Sequence, residues 1–369
     1  DWYAAPGTSP TAVPSWERQD WFEQWRAEHE AVRTGVGLID MSFMAKFLVE
    51  GPDAATVLDR VSAGAVAGEP GRIVYTQWVN DVGGIEADLT VTRLADERFL
   101  VVSSDTAHGH VANWLGRHTE GANVRVSDVT ATYAQVNIQG PRSREVMAAA
   151  SDDDFAAEAF AFRDARWVHV GNAPVLAIRI TYVGELGWEL YIPVEHAGHV
   201  YETLVEAGEP IGMRHVGLKA LGSLRMEKAY RDYGHDIDNT DTLAMVGLGF
   251  AVAKDKPVEW IGRAPTLAAL AAGPPSSRLV QVLLRDPLPL LFHAEVMLRD
   301  GVPVGDVRSG SYGWTLGGAV GLAMVTNPDG PVTADWLATG TWEVDIAGIR
   351  YAATVSLRPL YDPTSARVT

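Results

Sequence analysis

The sequence contains no cysteine. That removes disulfides, thiolate nucleophiles, iron–sulfur clusters and sulfur-ligated zinc together, so any chemistry runs on carboxylates, histidine, tyrosine or a bound cofactor. No apolar run approaches the length of a membrane span. The opening residues, DWYAAPGTSP, have neither the basic start nor the hydrophobic stretch of an export signal. A cytoplasmic protein without a membrane partner is the expectation. Because the first residue is Asp1 and not Met, the true start is expected upstream, and a preceding domain is left open. Positive charge is also scarce: 30 Lys and Arg against 47 Asp and Glu leave a net charge of −17. Such a surface repels nucleic-acid backbones and anionic lipid, so neither is expected as a partner, and an anionic ligand needs a local cluster of arginines. No G-x-G-x-x-G opens a helix and no P-loop occurs, which argues against a flavin or nicotinamide bound by this chain.

What is present is enough for two or three compact domains: 369 residues, 47% hydrophobic and 21% charged. The first 15 residues, rich in Pro, Gly, Ser and Ala, read as an extended arm. Asp20 is placed to cap a helix through Trp21, Trp25, Glu28 and Val32, with Gly35 as its stop. A strand over Phe47 to Val49 then runs into Gly51-Pro52 and a helix over Ala54 to Val61. The same order recurs at Ala134 to Ile138, Gly140-Pro141 and Arg142 to Ala150, a weak two-fold internal similarity. Asp88 to Leu94 and Phe99 to Ser103 read as paired strands, and Leu176, Ile178, Ile180 with Trp188, Leu190, Ile192 as a hairpin whose tip is Glu185. A helix follows over Val216 to Tyr230. Past AALAAGPPSSR (Ala268 to Arg278), short strands alternate with turn residues, predicting a mostly β C-terminal domain.

Four groups of residues have chemical potential. In TYVGELGWELYIP, Tyr182 precedes the glycine-framed turn and Glu189 follows it, opposite Trp188 and Leu190. A phenol and a carboxylate there either line a pocket that reads the edge of a flat heterocycle or sit on a wet hairpin face. In GLKALGSLRMEKAYR, Arg225 shares a side with Leu218, Leu221 and Ala229, while Glu227 points away. A guanidinium in an apolar seam needs an anionic partner, either a protein carboxylate or a ligand. The loop DYGHDIDNTDT packs Asp232, His235, Asp236, Asp238 and Asp241 into ten residues, but its spacing does not fit a calcium loop; no metal is expected. His235 is the histidine in the most polar setting and suits proton transfer. Finally, YTQWVNDVGGIEADLTV gathers Tyr75, Asp81, Glu86 and Asp88 around Gly83-Gly84, a strand, tight turn and strand.

Taken in order, AEHEAVRTGVGLIDMS, GRIVYTQWVNDVGGIEADL, VNIQGP, TYVGELGWELYIP, LRMEKAYRDYGHDI, RSGSYGWTLGGAVGLAMV and PLYDP resemble the glycine-cleavage T-protein (aminomethyltransferase) superfamily across nearly the whole chain. MSFMAKF, LRMEKAYRDYGHDI and PLYDP look more like the folate-binding C-terminal region of dimethylglycine and sarcosine dehydrogenases, and YGHDIDNTD is also similar to folate-dependent dimethylsulfoniopropionate demethylase. The resemblance implies an α+β, three-domain cloverleaf around a central tetrahydrofolate site. It would place the folate-binding core at residues 1–50 plus 134–267, a second α/β domain at 51–133 and the β-rich domain at 268–369. Carried over by motif, Tyr75, Tyr182, Glu189 and Arg225 would hold the cofactor. Tyr233 matches a folate-site position in the loop, where it or His235 would protonate a leaving group. The family's Gly-Gly-x-x-Asp-Asp-Leu run is GGIEADL here, with Ala87 at the first acidic position and Asp88 at the second, making Asp88 the catalytic candidate. The implied activity moves a methyl or methylene group from a small methylated amine, ether or sulfonium compound to tetrahydrofolate. The alternatives are a folate-accepting subunit or fragment of a flavin-dependent demethylase, partnered by a separate flavoprotein, and a non-catalytic folate-binding protein, whose signature needs a cysteine absent here.

Overall fold

The computed structural model describes residues 1–11, 13 and 18–368. Three β-systems organise them. A six-stranded sheet runs in the order Arg214–His215, Gly37–Asp40, Tyr133–Gln139, Gly187–Pro193, Ala173–Ile178, Ala165–Val170, parallel only between the first two. A five-stranded antiparallel sheet runs Arg72–Val79, Ile85–Ala95, Arg98–Ser103, Ala45–Glu50, Arg125–Asp128. Ser277–Leu284, Gly318–Thr326, Val302–Gly313, Val296–Arg299, Trp342–Ile346 and Ile349–Ser356 close into a six-stranded barrel, the predicted β-rich C-terminal unit. The fold is the α+β cloverleaf. Strand Ala45–Glu50, which the sequence groups with the first unit, pairs inside the five-stranded sheet.

The strand–Gly–Pro–helix repeat is real geometry. Gly51 and Gly140 both adopt φ +133°, a region open to glycine alone. Each then delivers the chain to a helix, Ala54–Val61 or Ser143–Ala150. A Cβ on Gly140 would stand 2.4 Å from the Gly35 carbonyl oxygen and 2.9 Å from that of Val32. Gly140→Ala is therefore expected to cost more than about 1–3 kcal/mol in a thermal or denaturant melt. Gly222→Ala, in open space within the helix Leu218–Glu227, should instead gain about 0.5–1 kcal/mol. Equal effects would show that the backbone at Gly140 is not the constraint.

The helix Phe22–Thr34 buries Phe22, Trp25, His29 and Val32 on one stripe. Phe22 and Trp25 pack against Tyr312 and Trp314 of the barrel, so this helix wedges the barrel to the rest. Its cap is Trp21, without a side-chain bond, in place of the predicted Asp20; Gly35 ends it, donating to Ala31. The first residues of the predicted arm lie on this wedge; its residues 12, 14 and 15 fall outside the described residues. Tyr3 donates its backbone N–H to Glu28 at 2.5 Å, and Trp2 stacks on Trp21.

The hairpin turn lies in the interior: Glu185, its predicted tip, is 1% exposed. One sequence expectation changes here. The helix predicted to Tyr230 stops at Glu227, and Glu227 is fully buried. Ala229 follows at φ +52°, turning the chain out of the helix. Arg33 ties these parts together. It donates to Glu227 from Nε and Nη2 (3.1 and 3.0 Å), to Glu185 and the Val183 carbonyl from Nη1 (3.1 and 2.6 Å), and to the Leu224 carbonyl from Nη2 (3.0 Å). All five guanidinium N–H groups are used. Tyr361 covers this arginine, with its ring centroid 4.1 Å away and its hydroxyl donating to Glu185 at 2.5 Å. The other Glu227 oxygen accepts from the backbone of Thr315 and Leu316 in the barrel.

Candidate functional site

The site grows from strand alternation. In the pair Arg72–Val79 and Ile85–Ala95, Gln77 stands opposite Asp88 and Tyr75 opposite Thr90. Trp78, Ala87 and Leu89 point into the apolar core of the five-stranded unit. Tyr75, Gln77 and Asp88 therefore share the other face. This separates the two positions of the GGIEADL run: Ala87 is wholly inside the core, and Asp88 alone faces the polar side.

Asp88 accepts from Gln77 Nε2 at 2.8 Å and from the Tyr75 hydroxyl. Burial pushes its carboxyl up to about 6, although the Gln77 and Tyr75 hydrogen bonds and the Arg231 guanidinium all favour the carboxylate. Burial likewise raises the Tyr75 and Tyr182 hydroxyls well above the ordinary phenol range, so both are O–H donors. Tyr182 donates to the Arg231 carbonyl at 2.7 Å and stacks on Tyr230, centroids 6.1 Å apart and 19° from parallel. The other face of the aromatic group opens outward: Tyr75 stacks on Phe250, which is 75% exposed.

Arg225 takes the protein ion pair, donating to Asp236 and to the Tyr230 carbonyl. Burial opposes its charge, but Asp236, Tyr182 and Asp232 outweigh this and hold its pKa above the usual value. The arginine facing Asp88 and Tyr75 is Arg231, which sequence reading missed. Its guanidinium is fixed by the Val246 carbonyl (3.0 and 2.7 Å) and the Ala229 carbonyl (2.7 Å). Nothing local marks it, because the strands it faces lie more than 130 residues earlier.

Tyr75, Asp88, Tyr182 and Arg225 are thus joined, with Arg231 and Asp232, in one partly buried electrostatic group. Glu189 sits in a neighbouring one. On the sheet face opposite Trp188 and Leu190, it accepts from the Tyr191 hydroxyl at 2.7 Å, Gln135 Nε2 at 3.4 Å and Asn137. Burial raises its carboxyl; these bonds and Lys46 oppose the rise. His235 stays outside, 57% exposed, touching the main group through Asp232 at 3.2 Å. Tyr233 packs between the five-stranded unit and a second apolar cluster; burial, Glu86 and Asp238 push its hydroxyl up to about 12.

Two carboxylates of the acidic loop are taken by arginines, Asp236 by Arg225 and Asp241 by Arg308 at 2.6 Å. Among the described residues no cluster of His, Asp or Glu is arranged to hold a metal. No helix among them is long and apolar enough to cross a membrane.

Three buried acceptors near the two carboxylates have no partner: Gln77 Oε1, Gln135 Oε1 and Asn137 Oδ1. Buried acceptors are normally satisfied, so these three have room in their hydrogen bonding for N–H donors. A reduced pterin, with several ring and exocyclic N–H groups and a flat face for tyrosine, fits that donor demand.

Residues 1–256 match the family model for the GCVT N-terminal domain, and residues 278–362 match the Glycine cleavage T-protein C-terminal barrel domain. The chain belongs to the glycine cleavage T-protein family. It is 41% identical over its whole length to 4-methylaminobutanoate oxidase (formaldehyde-forming) of Paenarthrobacter nicotinovorans, and 32% identical over 92% of its length to mitochondrial sarcosine dehydrogenase of Homo sapiens. It spans only 44% and 38% of those two proteins. Against the aminomethyltransferase of Geobacillus kaustophilus it is 34% identical, covering 97% of this chain and 96% of that protein. The crystal structure of aminomethyltransferase T from Bartonella henselae superposes with a TM-score of 0.80 at 26% identity, covering 92% of this chain and 90% of that one.

Proposed function

We propose that this chain transfers a one-carbon unit from a small N-methylated amine to tetrahydrofolate, and that its donor arrives already oxidised by a flavoprotein, as a separate subunit or as another part of a longer protein. The observation that carries the reading is the partly buried Asp88, set between Tyr75, Gln77 and Arg231 beside unpartnered acceptors. The choice of amine rests on the similarity to proteins named for 4-methylaminobutanoate and sarcosine. The absence of a dinucleotide glycine motif from the sequence favours placing the oxidation elsewhere.

Tetrahydrofolate, when bound, supplies the nitrogen that accepts the one-carbon unit. The protein supplies orientation and charge. Glu189, Asn137 and Gln135 would read the N–H edge of the pterin, and Tyr75 and Tyr182 would cover its faces. Asp88, with a carboxyl near 6, holds negative charge at neutral pH yet takes a proton readily, which suits it to neutralise an iminium and shuttle one proton. Arg225, through Asp236, and Arg231 fix the wall behind them. His235 and Tyr233 are proposed at the rim, where either would hand a proton to the departing amine.

The test is a titration with tetrahydrofolate followed by tryptophan fluorescence. Saturable quenching is expected, weakened at least about tenfold in Glu189→Ala, the order of a lost charge-assisted hydrogen bond. Absence of quenching in both proteins would return Tyr182 and Glu189 to a structural role.

A further inference from the structure

Lys46 sits within the strand Ala45–Glu50 with its side chain fully buried. Its neighbours Ala45 and Phe47 enter the core of the five-stranded unit, so alternation turns Lys46 out of that core toward the six-stranded sheet. There its ammonium donates to the carbonyls of Ser42 (3.0 Å) and Met44 (2.8 Å), and the carboxylates of Glu189, Asp40 and Asp128 face it. A buried ammonium is costly where a leucine or methionine would pack. Two carbonyls in a turn do not by themselves explain why it is kept.

The chain of contacts leads to Glu189. Lys46 holds the Ser42 carbonyl, the Ser42 hydroxyl accepts from the Gln135 backbone at 3.0 Å, and the Gln135 side chain donates to Glu189 at 3.4 Å. The other groups facing Glu189 are the Tyr191 hydroxyl and Asn137, both neutral; the cation is Lys46. A carboxylate needs its charge to accept two N–H donors from one flat heterocycle.

We propose that Lys46 is a positioning residue for the pterin edge: reaching across the boundary between two sheets, it keeps Glu189 ionised and aligned to accept the ligand's N–H groups. This rests on the folate reading above. The pair defines a pH window. Burial raises the Glu189 carboxyl, so affinity falls toward acid as Glu189 takes a proton. Burial lowers the Lys46 ammonium to about 8, so affinity also weakens above that pH as the cation is lost.

The experiment is an anaerobic titration of the full chain with tetrahydrofolate across pH, read by tryptophan quenching, for wild type, Lys46→Met, Lys46→Arg, Glu189→Gln and the Lys46→Met/Glu189→Gln double variant. Lys46→Met is expected to bind on the order of tenfold more weakly at neutral pH, with its acid limb moved to higher pH. Lys46→Arg should bind near the wild-type level and lose the alkaline limb, because a guanidinium does not deprotonate there. In the Glu189→Gln background, Lys46→Met should add nothing. An unmoved acid limb in Lys46→Met, or an effect that persists undiminished without Glu189, assigns Lys46 to the fold alone and overturns the proposal. If Lys46→Met does not fold, an alkaline limb retained by Lys46→Arg has the same force. Wild-type protein that binds no folate is a separate result that overturns the folate reading itself.

Discussion

Replacing Asp88 with asparagine is expected to slow one-carbon transfer by orders of magnitude while making the protein harder to unfold. The carboxyl ordinarily titrates near 3.8, and burial raises it here to about 6. Between those values the native state holds more protons than the unfolded chain, so stability falls as pH rises through that window. Above it the full penalty for an ionised Asp88 is present, roughly two pH units or about 3 kcal/mol. Asparagine carries no such charge. It still accepts from Tyr75, and the unpartnered Gln77 Oε1 can take its new N–H. Asp88→Asn should therefore melt higher than wild type at pH above 7, the gap closing as pH falls below 4. Turnover, followed as one-carbon-loaded folate from an N-methyl amine oxidised in situ by a flavoprotein, should drop by about 10²–10⁴. A lower melting temperature at alkaline pH would contradict the charge argument. Undiminished turnover would remove Asp88 from the chemistry.

The second large effect lies away from that chemistry. Arg33→Met strips Glu185 and Glu227 of their shared cation while both remain buried at 1% and 0% exposure. Breaking one partner out of a buried ionic group typically costs about 3–5 kcal/mol, because the remaining charge has no water to turn to. Against burial, His29 at 3.3 Å and Arg33 together hold the Glu227 carboxyl below the usual carboxylate range; burial lowers the His29 pKa, so Arg33 is the partner that stays charged at neutral pH. A melting temperature lower by several degrees is expected at neutral pH. Adding Glu227→Gln should recover part of the loss, since an amide can still accept from Thr315 and Leu316. A melt within a degree of wild type would show that the network contributes no net stability.

These two sites also show what local pattern can and cannot convey. Two-residue alternation was enough to put Glu189 opposite Trp188 and Leu190, and the same rule puts Asp88 opposite Ala87. Glycine followed by proline was enough to mark two strand-to-helix turns, because φ +133° has no other ready occupant. Glu227 was placed only as pointing away from the Arg225 seam, since helical periodicity describes one helix and its partner Arg33 lies 194 residues earlier. Glu185 looked like a hairpin tip for the same reason: Tyr361, 176 residues on, covers it. Arg231 and Lys46 escaped notice because their significance depends on carboxylates from other sheets. For Arg225 the alternatives were both legible, and the structure supplies Asp236 as the carboxylate.

The placement of Tyr361 bears on biosynthesis. The network it completes starts at Arg33 and gathers Glu185 and Glu227 on the way, so its members leave the ribosome at widely separated times. A nascent chain that has made both sheets still presents Arg33 and Glu185 without the ring that covers them. Contacts of such sequence separation form late and slowly. Until residue 361 is free to dock, the young protein holds a charged, uncapped seam, and that interval is when a chaperone has most to offer it.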